Sequence, residues 1–238
     1  MDKISVTLDS RIFNYNYAKA KENLGPGKTI LIKKDAIYVS DTFSILKIQC
    51  DNSDLEKDLW LDFERLKTHF RYFTGKFELQ VARINNVQNS IFYKNFFVCN
   101  SYVFETKDFN KPFNTFNTYL QMPPFVGINL NDSDLIFLRF GVFCFSNNAL
   151  KIFDRDLNFI KEISLLLPGT PTPENSTLHY FSCQESLNGF YAKDFAFYIK
   201  GKEEHYVFYL SSEDMEYMEF LPYNNIKQLK QPQQKENK

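Results

Sequence analysis

The sequence predicts an α+β fold made of two similar halves, each combining antiparallel sheets with two helices. Three observations lead there: short alternating apolar runs broken by polar turns, four segments of helical periodicity, and landmarks that recur about half a chain apart. With 238 residues the chain can hold two units of common domain size, placed at 1–112 and 113–238. Phe 26 and Tyr 14 dominate an aromatic share of 17%, so large rings must fill much of the core.

The first half opens with an alternating strand from Ile4 to Leu8, after which Asp9 or Ser10 caps a helix expected to reach about Leu24. Phe13, Tyr17, Ala20 and Leu24 form its apolar stripe, and Gly25-Pro26-Gly27 stops it. TILIKK, AIYVSD and SILKIQC read as a meander of strands, with breaks at Lys34-Asp35 and Asp41-Thr42. Beyond the charged loop DNSDLEKD, the stretch LWLDFERLKTHFRYF begins as a strand and becomes a second helix. That helix buries Phe63, Leu66, Phe70 and Phe73, and Gly75-Lys76 closes it. FELQVARI, NSIFYKNFF and VCNSYVFE are further strands, with turns expected at Asn85-Asn86 and Asn100-Ser101. The proline-bearing stretch at about 105–125 is the expected connector.

The second half repeats this order. Val126 to Leu130 reads as a strand, and Asn131-Asp132-Ser133 caps a helix through Leu135, Leu138 and Val142, although the aromatic run from Phe137 to Phe145 also suits a strand. ALKIFDRD and FIKEISLLL follow as strands, PGTPTPENST as an exposed loop, and HYFSC leads into a helix from about Gln184 to Ile199 ended by Gly201-Lys202. HYVFYLSS and MEYMEFL finish as strands before a polar tail from about 228, where disorder is expected. Leu130 stands 122 positions after Leu8, and Gly201 stands 126 after Gly75. HFRYFTGKFELQV also resembles DFAFYIKGKEEHYVFYL, so duplication of one unit is the economical account.

The formal charge is -1, with 28 Lys and Arg against 29 Asp and Glu, which excludes the strongly basic balance of a tail-like nucleic-acid binder. Any DNA contact must come from local segregation of charge. No apolar run approaches the roughly 18 residues of a membrane span, and the amino terminus lacks the apolar core of a leader, so a soluble cytoplasmic protein is expected. For a viral chain that means the host cytoplasm.

Chemistry is sparse. Cys50, Cys99, Cys144 and Cys183 lie far apart in apolar runs and read as buried thiols; His69, His179 and His205 are equally scattered. No metal site and no cofactor are expected. The phosphate-cradling GxxxxGK[ST], the dinucleotide GxGxxG and the GxSxG elbow are all missing, so no enzyme is expected. Acid pairs at Asp132/Asp134, Asp154/Asp156 and Glu213/Asp214 suit helix caps and solvated turns, and Asn175-Ser176-Thr177 marks an exposed loop.

This element order, with KISVTLDSRIF, AIYVSDTFSILKI and WLDFERLKTHFRYF, resembles over residues 3 to 223 the ring subunit of DNA sliding clamps of the proliferating cell nuclear antigen and phage processivity-factor type. The resemblance implies a six-domain ring with helices lining a central hole, so that a two-domain chain closes as a homotrimer through head-to-tail contacts. It implies double-stranded DNA, bound without sequence preference, and a DNA polymerase and clamp loader as partners. Implied DNA-facing residues are Arg11, Lys19 and Lys21 in the first helix and Arg65, Lys67 and Arg71 in the second, a net basic helix that also carries His69 and one acid, Glu64. In the second half Arg139, Lys193 and Lys200 take that part. Peptide docking is implied for Phe43, Ile45, Phe125, Pro222 and Tyr223. The alternative is a non-enzymatic, β-rich structural or adaptor protein of a viral or surface assembly, whose aromatic sheets pack against neighbouring subunits.

Overall fold

The computed structural model describes residues 3–15, 29–40, 44–85, 88–102, 126–128, 130–146, 149–164, 175–179, 196–202, 205–211 and 213–222. Among the described residues sixteen strands make up three antiparallel sheets. In the first half these are β1 (Lys3–Asp9), β2 (Thr29–Ile32), β3 (Ala36–Ser40), β4 (Ser44–Gln49), β5 (Leu59–Asp62), β6 (Lys76–Asn85), β7 (Gln88–Tyr93) and β8 (Phe96–Tyr102). In the second they are β9 (Val126–Ile128), β10 (Val142–Ser146), β11 (Ala149–Phe153), β12 (Phe159–Ser164), β13 (Asn175–His179), β14 (Ala196–Lys202), β15 (His205–Ser211) and β16 (Met215–Pro222). Among the described residues there are two α-helices, α1 (Phe63–Phe70) and α2 (Asp132–Phe140), and one 3₁₀ turn, Ser10–Asn14.

Strand order repeats between the halves. One sheet runs β1-β6-β7-β8, and its order recurs in β9-β14-β15-β16; the run β5-β2-β3-β4 recurs in β13-β10-β11-β12. Each strand thus has a counterpart eight strands later. The two runs in the middle of this scheme fuse, because β4 pairs with β16 to make one eight-stranded sheet, β5-β2-β3-β4-β16-β15-β14-β9.

Local chemistry explains most elements. TILI and AIYVS supply β-branched residues that are buried almost throughout, as expected of inner strands. Asp62 caps α1 by accepting from the Arg65 amide at 3.1 Å, and Phe63, Leu66 and Phe70 turn its apolar stripe inward. Phe70 sits 5.0 Å from Phe73 and 5.1 Å from Phe77, and Tyr93 closes the cluster 5.2 Å from Phe73. Gly75 ends this segment at φ +72, a left-handed conformation that glycine adopts without strain. In α2 a capping box joins Asn131 and Asp134, each amide donating to the other's side chain at 2.9 Å. Gly141 follows because a Cβ there would collide with the Phe153 carbonyl oxygen and lie 2.8 Å from that of Phe137.

Several expectations need correction. The described part of the first expected helix, Ser10–Asn14, is a 3₁₀ turn followed by an extended Tyr15, whose ring is fully buried and whose hydroxyl meets the Ser44 hydroxyl at 2.6 Å and donates to the Ser44 carbonyl at 3.1 Å. Burying that ring draws the chain out of helical geometry; Tyr17, Ala20 and Leu24 lie outside the described residues. Asn100 and Ser101 sit within β8, and the turn falls at Lys94-Asn95, both at positive φ, a two-residue hairpin connection matched to strand twist. Val142 belongs to β10, so the aromatic run from Phe137 is helix to Phe140 and strand thereafter. Residues 175–177 are strand as well as part of the expected loop.

The expected helix ending at Ile199 is corrected too, since Ala196–Lys202 is β14 and Gly201 lies inside it opposite Tyr206. Gly75 and Gly201 are therefore not equivalent. Counting from the caps Asp9 and Asn131, Val6 corresponds to Ile128, and their ladder partners are Leu79 and Phe197. Residues 180–195, the connector at 103–125 and the tail lie outside the described residues.

The exposed side of β1 is closed by a side chain rather than a strand. Asn52 accepts from the Thr7 amide at 2.6 Å and donates back to the Thr7 carbonyl at 3.2 Å, completing one rung of a ladder. Asn52 is buried, so Asn52→Ala leaves both Thr7 groups unpaired and is expected to cost about 1–3 kcal/mol. Urea unfolding followed by far-UV circular dichroism checks it.

Candidate nucleic-acid interface

The cations singled out in the sequence fall into distinct environments. Arg11, at the 3₁₀ turn, is held by two carboxylates: Nε and Nη2 donate to Asp9 at 3.0 and 2.8 Å, and Nη1 donates to Asp214 at 3.2 Å with Nη2 closing the second fork. The hydrogen bond to Asp9 is the chief influence raising the guanidinium above its ordinary pKa. Asp214 is held below its ordinary value, first by its hydrogen bond from Arg11. Because Asp214 lies in the turn before β16, this contact ties the first half to the second. Its backbone carbonyl also accepts from the Gln49 amide at 2.8 Å.

Sequence patterning alone marks Asp214, beside Glu213, only as a solvated-turn residue and carries no signal of its contact with Arg11. The other acid pairs do behave as caps and turns. Asp134 completes the capping box and accepts from Lys161 on β12 at 2.6 Å, and Asp154 accepts from the amides of Asp156 and Asn158 at 2.9 and 2.8 Å.

The basic residues of α1 divide between its surroundings and solvent. Arg65 donates to the Asn100 carbonyl at 3.0 Å and lies 4.6 Å from the Tyr102 ring centroid, so it braces the helix against β8. Lys67 donates to the Tyr15 carbonyl at 3.3 Å and lies 5.3 Å from the Phe63 ring. His69 and Arg71 are exposed, Arg71 lying 4.6 Å from the centroid of the exposed Tyr72. The Phe13 and Phe63 rings, 5.9 Å apart, pack the 3₁₀ turn on α1, so these cations share one corner of the first half. A phosphate approaching that corner would meet Arg71 and His69 before Lys67, and Arg11 only by competing with two carboxylates.

For the remaining expected residues, Lys19, Lys21, Lys193, Phe43, Phe125 and Tyr223 lie outside the described residues. Arg139 is in α2, Lys200 in β14 opposite Val207, and Pro222 at the end of β16 opposite His205; their side chains are likewise outside. Ile45 is fully buried where β4 meets β16, so it offers no surface to a peptide.

Among the described residues, no three or more His, Cys, Asp or Glu side chains are placed to hold a metal ion, and no helix is long and apolar enough to cross a membrane. Cys50, Cys99 and Cys144 are free thiols, and Cys183 lies outside. Burial pushes Cys50 up to about 12 and raises Cys99 and Cys144, which keeps them protonated and unreactive near neutrality.

The Arg11 clasp has a definite pH signature. A carboxylate with a depressed folded pKa stabilises the fold fully above its unfolded value, here 3.8, and that contribution is lost as pH falls through the lower folded value. Arg11→Met should cost on the order of 2 kcal/mol near neutrality, because the buried Asp9 loses its partner. The gap between wild type and variant should narrow as pH drops below about 4; denaturant titrations at several pH values measure it.

No family model matches the sequence, and no curated protein matches it. Solved structures do. The Helicobacter pylori beta clamp bound to a DNA ligase peptide superposes with a TM-score of 0.58 at 11% identity, covering 97% of this chain and 70% of the other. The DNA polymerase sliding clamp of Pseudomonas aeruginosa gives 0.56 at 11%, covering 92% and 66%. The DNA polymerase III beta subunit of Thermotoga maritima gives 0.53 at 11%, covering 91% and 63%. The chain therefore spans about two-thirds of the length of these proteins, and over nearly all of its own length it adopts the fold of the bacterial DNA sliding clamps.

Proposed function

We propose that the chain is a ring-forming DNA sliding clamp: a non-catalytic processivity factor that encircles duplex DNA without reading its sequence and tethers a replicative polymerase. The observation that supports this most is the recurrence of one strand order in two halves joined edge to edge through β4 and β16. A unit that joins to its copy by extending a sheet continues head to tail, and such contacts close into rings when the rotation allows. Three copies of a chain with two such units give six, so a homotrimer is the assembly proposed, each half being one duplicated domain with boundaries near 112.

Retention on DNA needs cations that meet phosphates through water, without contacts that would fix a register. In the first half the proposal rests this on Arg71, with His69 beside it and Lys67 at the margin; Arg65 and Arg11 are proposed as structural. Lys19, Lys21, Arg139, Lys193 and Lys200 remain proposed DNA-facing positions. Polymerase or loader peptides are proposed to dock at Phe43, Phe125, Pro222 and Tyr223, by analogy with the peptide-bound Helicobacter pylori clamp.

The test is retention on nicked circular against linear duplex. Wild type should persist on circles and run off linear ends, and Lys67→Glu with Arg71→Glu should cut retention by roughly 10-fold or more at moderate salt while the oligomer's mass stays unchanged. Equal loss from circles and linear molecules would remove the encircling reading.

A further inference from the structure

Tyr72 is 79% exposed, more than any other large hydrophobic side chain among the described residues. It follows α1, where Arg71 continues the helical backbone and the Phe73 amide donates to the Phe70 carbonyl at 3.0 Å. That turn seats the Phe73 ring against Phe70, Phe77 and Tyr93, with centroids 5.0, 5.0 and 5.2 Å away, and leaves Tyr72 outside the cluster.

A single ring on a surface needs no explanation by itself, but this one has a cationic setting. The Arg71 guanidinium lies 4.6 Å from its centroid, and His69 is exposed two residues earlier. Tyr93, packed on Phe73, leads into Lys94 at the tip of the β7–β8 hairpin, whose Nζ lies 5.2 Å from the Tyr93 ring. Lys94 and Asn95, at φ 47 and 66, form a tight two-residue connection that holds this cation beside the ring cluster. Neither Arg71 nor Lys94 has a carboxylate in salt-bridge range among the described residues. Lys76 and Glu78, the exposed charges that begin β6, offset each other.

Duplex DNA presents its phosphates outward and keeps its base faces stacked inside, so cations alone suffice to hold it. An open aromatic face beside two uncommitted cations matches a different ligand, a strand whose bases are unpaired. The base stacks on the ring while its neighbouring phosphates meet the cations. An acidic peptide would satisfy the charges and leave the ring without a partner.

We infer that Arg71, Tyr72 and Lys94 form a site for single-stranded DNA, an unpaired base stacking on Tyr72 and the flanking phosphates held by the two cations. The inference goes beyond the duplex reading of the same corner and rests on it only for the part Arg71 plays in meeting phosphate. Every base has a π-face, so the site reads no sequence. Stacking uses the ring and not its hydroxyl, so phenylalanine serves at position 72 and alanine does not.

Fluorescence anisotropy can compare a fluorescein-labelled oligothymidylate with an abasic strand of equal length. Wild type should bind the base-bearing strand about 5-fold or more tighter, Tyr72→Ala should erase that difference, and Tyr72→Phe should keep it. Lys94→Gln should weaken both strands and lower the slope of log affinity against log salt by about 0.7, the value for one phosphate contact on a single strand. Because Tyr72 is exposed, Tyr72→Ala should melt as wild type does by circular dichroism and stay on nicked circles as wild type does. Equal affinity of wild type for the two strands, a preference for bases that survives Tyr72→Ala, or polyglutamate competing as well as oligothymidylate would overturn the inference and leave the ring reading standing. Tyr72-dependent binding of oligothymidylate by a protein that leaves circles as fast as linear duplex would support this site and count against encirclement.

Discussion

A strand at the edge of a sheet carries a row of backbone donors and acceptors that must find partners, and the pairing of β4 with β16 answers that need for two edges at once. Everything else in the architecture is arranged around this joint. It buries Ile45, Leu46, Tyr217 and Met218 between the halves, brings the turn before β16 under the first half, and lets Asp214 reach Arg11. Without it, two four-stranded runs would each expose an apolar edge, and the Arg11 clasp would have only its own Asp9.

Other edges are handled by different means. β1 is closed by the amide of Asn52, and the distal part of β8 by Arg65 and Asp62. These polar plugs satisfy backbone groups without inviting another strand. Where they stop, exposed phenylalanines begin: Phe96 and Phe97 on β8 and Phe159 on β12. Large exposed rings beside unpaired backbone are an aggregation hazard unless something covers them.

The same economy shapes the cationic corner. Arg65 and Lys67 brace α1 against β8 and the 3₁₀ turn, and Arg11 locks the halves, so three of the basic residues near α1 serve the fold first. His69 in the last turn of α1 and Arg71 just beyond it are exposed.

The sequence by itself determined the elements whose cause is local. Short β-rich apolar runs between polar breaks marked β2, β3, β4 and β16, and Asn131 marked the start of α2. Tertiary structure decided what depends on partners distant in the chain. Tyr15 left helical geometry because its hydroxyl is claimed by Ser44, and the Gly201 landmark proved false because Gly201 is held in β14 opposite Tyr206. Asp214 became a clasp rather than a turn residue only through an arginine 203 positions away. Periodicity reports how a segment meets water; it carries no record of which edge another edge will pair with, because that choice is made by the shape of the assembled sheets.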